Sequence, residues 1–124
     1  MDILRLYADP NGDTHVAVLT LAGTLSEDGS EQVESVAPIP VTELNIRRTI
    51  HGTPSPDMHN APRRQLVTLL KGEADIVTSD RRSVHFSPGQ FLLAEDITGT
   101  GHQWLPTGED VIVVTIPVSP DWPG

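Results

Sequence analysis

Turn-forming residues interrupt this chain about every ten residues, and that spacing limits what it can fold into. Eleven Pro and ten Gly are spread through 124 residues, and no segment carries the apolar period of an amphipathic helix. Asp9-Pro10-Asn11-Gly12, Lys71-Gly72, Ser87-Pro88-Gly89 and Thr98-Gly99-Thr100-Gly101 are turn signals, because Gly reaches positive φ and Pro presets φ for a turn. Between the turns lie β-branched and apolar runs: Ile3 to Tyr7, Thr14 to Leu21, Gln65 to Leu70, Ala74 to Ser79, Arg82 to Phe86, Phe91 to Glu95, His102 to Leu105 and Val111 to Val118. Val41 to Ile50 alternates, with Leu44, Ile46, Arg48 and Ile50 on one face and Glu43, Asn45, Arg47 and Thr49 on the other. Ser26 to Ser35, with Glu27, Asp28, Glu31 and Glu34, has no apolar period and reads as an exposed acidic loop. The expected architecture is all-β, a sandwich or jelly roll of about eight to ten short strands in a single domain.

Seventeen acidic against eight basic residues leave a formal charge of −9. That field repels nucleic acid, whose affinity comes mostly from phosphate neutralisation, and disfavours anionic membrane surfaces. Small molecules, metals and other proteins remain as partners. With no Cys, thiolate chemistry and disulfides are excluded, and a cytoplasmic location is the expectation. The start of the chain has no apolar run of signal-peptide length, and no segment is long enough to span a bilayer as a helix.

Strand parity points to a polar pocket. Gln65, Val67 and Leu69 share one face of a strand, with His59 on the same parity beyond Pro62. An inward Gln needs a partner, because burying it unsatisfied costs about 1–3 kcal/mol. It can bond a ligand, a neighbour or water, or coordinate a metal. Phe91, Leu93 and Glu95 share another face, which would carry Glu95 to the inner end of an apolar stripe. His102 and Trp104 follow on one face of the next strand. A carboxylate beside histidines on facing strands can bind metal or serve acid–base chemistry. Quieter roles are open for each: a loop histidine for His59, a satisfied core amide for Gln65, a turn-closing histidine bonded to Asp96 for His102, and a surface role for His51.

Two stretches carry a family resemblance. His59-Asn60-Ala61-Pro62-Arg63-Arg64-Gln65 and Leu93-Ala94-Glu95-Asp96-Ile97-Thr98-Gly99-Thr100-Gly101-His102 resemble the H-x-A-P-x-R-Q and L-x-E-D-x-T-G-x-G-H signatures of a subgroup of small single-domain cupins. The resemblance runs from about Ile50 to Val118. It implies a single-domain cupin-type double-stranded β-helix, a conical jelly-roll barrel over residues 46–118, with residues 1–45 as N-terminal strands and an acidic loop. It also implies a frequent homodimer and one divalent metal held by histidines and a carboxylate or Gln. Against the general first cupin motif, Gly72 fits the final Gly and Gln65 stands at the Glu. With the shorter spacer His59 is the first His and Ala61 replaces the second; with the longer one, Met58 and Asn60 take those places. In the second motif Gly99 and His102 match, whereas Ile97 replaces Pro and Pro106 replaces Asn.

The resemblance therefore implies His59, Gln65 and His102 as ligands of Fe, Mn, Ni or Zn, with Glu95, His51 or water to complete the shell; in an enzyme Glu95 would be the general acid or base. Met58, Val67, Leu69, Phe91, Leu93 and Trp104 would form the ligand pocket. Two readings follow. One is a metal-assisted enzyme of isomerase, cyclase, lyase or dioxygenase type acting on a small organic molecule. The other is a metal-free binding or sensing module, favoured by the missing ligand at Ala61. The apolar runs Ile3 to Tyr7 and Val16 to Leu21 are the expected dimer edge.

Overall fold

Among residues 1–51 and 55–123, which the computed structural model describes, the regular structure consists of strands alone. They are β1 (Asp2–Ala8), β2 (Thr14–Thr20), β3 (Gly23–Asp28), β4 (Glu31–Val36), β5 (Asn45–Thr49), β6 (Gln65–Thr78), β7 (Ser83–Phe86), β8 (Phe91–Ala94) and β9 (His102–Pro117). Seven form one sheet in the order β2-β1-β8-β6-β9-β5, with β7 also paired to β6, and β3 and β4 form a separate ribbon. The pair β1–β8 is parallel and the other pairs are antiparallel. The fold is all-β, as the turn spacing requires. The sheet is not closed by backbone pairing: β2 and β5 end the main path, and β7 is paired on one side only. No helix among the described residues is long and apolar enough to cross a membrane.

Three local expectations are corrected. The stretch from Ser26 to Ser35 is part of the β3–β4 hairpin, with Leu25 opposite Glu34 and Glu27 opposite Gln32. A ribbon exposed on both faces needs no apolar alternation, and its turn is made by Gly29 at φ 63°. The runs on either side of Lys71-Gly72 are one strand, as are those on either side of Thr107 to Asp110. Register shifts at Leu69/Lys71 and Lys71/Glu73 bend the β6–β9 ladder without ending it. Gly72 is required at that bend: it sits at φ 81°, and a Cβ there would lie 2.8 Å from Val111 Cγ2. The alternating run Val41 to Ile50 is a strand only over β5.

The bent pair β6–β9 separates two apolar clusters. Leu6, Val67, Leu69, Ile76, Phe86, Leu92 and Val111 lie in one, and Ile3, Leu66, Leu93 and Val118 in the other. Successive residues of β6 and β8 thus go to opposite sides, as a period of two demands. The N-terminal strand β1 lies inside the sheet between β2 and β8, and contributes Leu6 to one cluster and Ile3 to the other.

Candidate functional site

Backbone pairing brings the two signature stretches together. His59 and His102 form a β-bridge in which each N–H donates to the other's carbonyl at 2.9 Å. The approach depends on Gly101, at φ 87°, because a Cβ there would stand 2.1 Å from the His59 carbonyl oxygen. Ala61 N–H donates to the Asp96 carbonyl at 3.1 Å, and Asn60 Nδ2 to the Gly99 carbonyl at 2.9 Å. Two segments some forty residues apart are thereby held in fixed register. The imidazole centroids of His59 and His102 are 4.9 Å apart, tilted by 52°.

Asp96 is fully buried, and its Oδ2 lies 2.5 Å from His102 Nδ1. With Nδ1–H donating to the carboxylate, Nε2 is the nitrogen left for a ligand. The turn-closing role and the pocket role of His102 therefore coexist: one nitrogen serves each. Asp96 Oδ1 meets no donor among the described residues. A buried acceptor without a partner costs about 1–3 kcal/mol, and such costs concentrate at functional sites.

This corner opens on a cavity of about 980 Å³. Gln65 faces it and is only 9% exposed, and its amide has no hydrogen-bond partner among the described residues. Val67, Leu92, Ala94, Val111, Val113 and Trp104 supply apolar wall, and Phe86 braces Trp104 edge-on at 6.1 Å. Asn45, Arg47, Thr49, His51, Arg63 and Asp110 also line it. Asp110 is already engaged by Arg48 at 2.5 and 2.9 Å and by Lys71 at 2.6 Å. Those cations, Arg48 first, hold its carboxyl well below the usual carboxylate range.

Of the residues expected here, His59, Gln65, His102, Val67 and Trp104 line the cavity. Leu69 lies in the apolar cluster that backs it, and Met58 is half-buried but not part of the lining. Phe91, Leu93 and Glu95 are corrected. Directly paired residues point to the same side of a sheet, and β8 registers Leu92 on Val67 and Ala94 on Gln65. Leu92 and Ala94 therefore face the cavity. Leu93 goes to the opposite cluster at 0% exposure, and Phe91 is 43% exposed. Glu95 is clamped between Arg5 Nε and Arg64 Nε, the latter at 2.6 Å, and is absent from the cavity lining. It pins β1 and the start of β6 to the end of β8, which is a structural task.

Sequence reasoning missed Arg47 and its neighbours, and left His51 between a surface or structural role and completing a metal shell. A signal was present in the alternation of β5, whose polar face of Asn45, Arg47 and Thr49 is the one that meets the cavity. Its apolar face is turned to solvent, with Ile46 64% exposed.

The donors His59, Gln65 and His102 fit a divalent ion by chemistry: two imidazoles and an amide oxygen, with Asp96 placing a carboxylate behind one imidazole. Among the described residues no three His, Cys, Asp or Glu side chains converge, so an ion here would rest on neutral ligands. In comparisons with known protein families and with curated proteins, none matches this chain.

Proposed function

We propose that this chain is a small jelly-roll cupin that holds a small organic molecule in the cavity. It acts on that molecule with a divalent transition metal, Fe, Mn, Ni or Zn, bound by His59, Gln65 and His102. The observation that carries this reading is the buried Asp96–His102 pair, which turns one imidazole nitrogen to the cavity beside His59 and an unpartnered Gln65. Bound there, such an ion supplies Lewis acidity toward a carbonyl or enolate oxygen. Asp96 fixes the His102 tautomer and ring orientation. Val67, Leu92, Val113 and Trp104 exclude water from the molecule's apolar body. With His59 and His102 committed as ligands and Asp110 to its two cations, His51 is the cavity-lining group left, among the described residues, to carry a proton. Isomerisation, cyclisation, lyase chemistry and dioxygenation are the reaction classes compatible with this set.

Elemental analysis of the purified protein tests it. One equivalent of a transition metal is expected, lost in His59→Ala and in His102→Ala. The second reading, a metal-free binding or sensing module, is favoured by buried Ala61 where the first motif has its second His. Protein that stays metal-free after dialysis against Mn, Fe, Ni and Zn would replace the first reading with the second. A homodimer is part of the proposal, through edge strand β2, whose Val18 is 64% exposed; a concentration-independent monomer in sedimentation would dismiss it.

A further inference from the structure

We propose that the cavity selects organic carboxylates, and that Arg47 is the residue that binds the carboxylate group. This rests on the reading of the cavity as a small-molecule site and adds the chemical class of the molecule.

Three observations carry it. First, charge at the cavity runs against the rest of the protein. The chain is −9 overall, yet of the charged side chains described at the cavity Asp110 is paired with Arg48 and Lys71 and Arg63 with Glu43, which leaves the positive charge of Arg47 unpaired among the described residues. Second, Arg47 is uncommitted. With seventeen carboxylate side chains in the chain, Arg5, Arg48, Arg63, Arg64, Lys71 and Arg82 each have an acidic partner among the described residues; Arg47 and Arg81 have none, and of these two only Arg47 lines the cavity. Third, β5 presents its polar alternate residues to the cavity. Leu44, Ile46 and Ile50 are left in solvent, while Asn45, Arg47 and Thr49 face the cavity opposite Thr115, Val113 and Val111. All five residues of β5 are exposed, so Arg47 is reachable from solvent at the cavity.

The planar guanidinium matches a carboxylate with two parallel hydrogen bonds. Thr49, two positions away on the same face, places a hydroxyl beside it, whereas Asn45 Nδ2 already donates to Glu43 Oε2 at 3.0 Å. The apolar body of the acid would then lie along Val113, Val67 and Leu92 toward Trp104.

The test is an NMR titration of backbone amides with phenylacetate, indoleacetate and isovalerate, each against its neutral amide. At least one acid is expected to bind about tenfold more tightly than its amide, as charge-assisted bonds do, with the largest shifts in β5 and β9. Arg47→Met removes that preference and Arg47→Lys retains part of it. Arg82→Met, which deletes the same charge at the remote β6–β7 turn, leaves it intact. Equal binding of acid and amide overturns the carboxylate assignment and leaves the small-molecule reading standing. A preference that survives Arg47→Met overturns the role of Arg47 and places the carboxylate elsewhere. If no acid or amide shifts the cavity residues, the small-molecule reading falls and this inference with it.

Discussion

Glu95 and Asp96 are neighbours in the chain and belong to different parts of the molecule. Asp96 is sealed behind His102 at the cavity, with one oxygen bonded and the other unpartnered among the described residues. Glu95 lies away from the cavity, held by two arginines from different segments. The same side-chain chemistry orients a ring in one place and staples strands in the other. Neither the residue type nor its position in a motif separates the two roles; the direction in which each side chain leaves the strand does.

The largest effect should come from the paired leucines just upstream. Leu92→Ala and Leu93→Ala each remove a buried side chain and should each cost about 3 kcal/mol in urea unfolding. Only Leu92→Ala should change small-molecule binding, because Leu93 packs with Ile3, Leu66 and Val118 on the other side. Altered binding in Leu93→Ala would break the assignment of sides. Phe91→Ala, at a half-exposed position, should cost about 1 kcal/mol or less.

Next in size is the clamp. Glu95→Ala leaves Arg5 and Arg64 without their carboxylate and should destabilise by about 2 kcal/mol, with metal and ligand affinity unchanged in the folded protein. A loss of turnover without a loss of stability would return Glu95 to the catalytic role. Asp96→Asn sharpens the contrast from the other side. It should weaken metal binding about 10–100-fold, the usual effect of removing the group that orients a histidine ligand, as read by a competitive chelator titration.

The smallest effect is a pH dependence far from the cavity. His15 lies between Asp9 and Asp80, at 2.6 and 2.8 Å. Its pKa is raised above the ordinary 6.5, chiefly by the hydrogen bond to Asp9 and then by that to Asp80. A raised folded pKa means that the folded state holds the proton more tightly than the unfolded chain. The stabilisation is therefore complete below about pH 6.5 and fades as pH rises through the folded pKa. The Tm difference between the protein and His15→Gln should be widest near about pH 5.5 and shrink toward about pH 9. A difference that is flat over that range would refute the clamp on His15. Because His85 is raised in the same direction by Asp75 and Glu73, the difference between the two proteins, and not the wild-type profile alone, isolates His15.

Much of the fold was legible because its causes are local. Turn residues and β-branched runs mark strands within a few residues of where they lie. The errors came where a local signal had two structural meanings. Lys71-Gly72 reads equally as a turn or as a bulge, and only the partner β9, which continues past it with shifts in register, makes it a bulge. Ser26 to Ser35 lacks apolar alternation, which is true of a loop and of a ribbon exposed on both faces.

At the site the division is sharper. A strand's period of two put Gln65 and Val67 on the parity of His59 and put His102 with Trp104, and the resemblance of the two signature stretches to cupins joined them into one candidate pocket. Which face of β8 and of β5 is the inner one is not a local property. It is decided by register between segments far apart in the chain, Leu92 on Val67 and Arg47 on Val113. A shift of one residue would exchange every side chain between the faces. Parity is written in the sequence; the choice between the two sides belongs to long-range pairing, and with it the exclusion of Glu95 and the presence of Arg47 at the cavity.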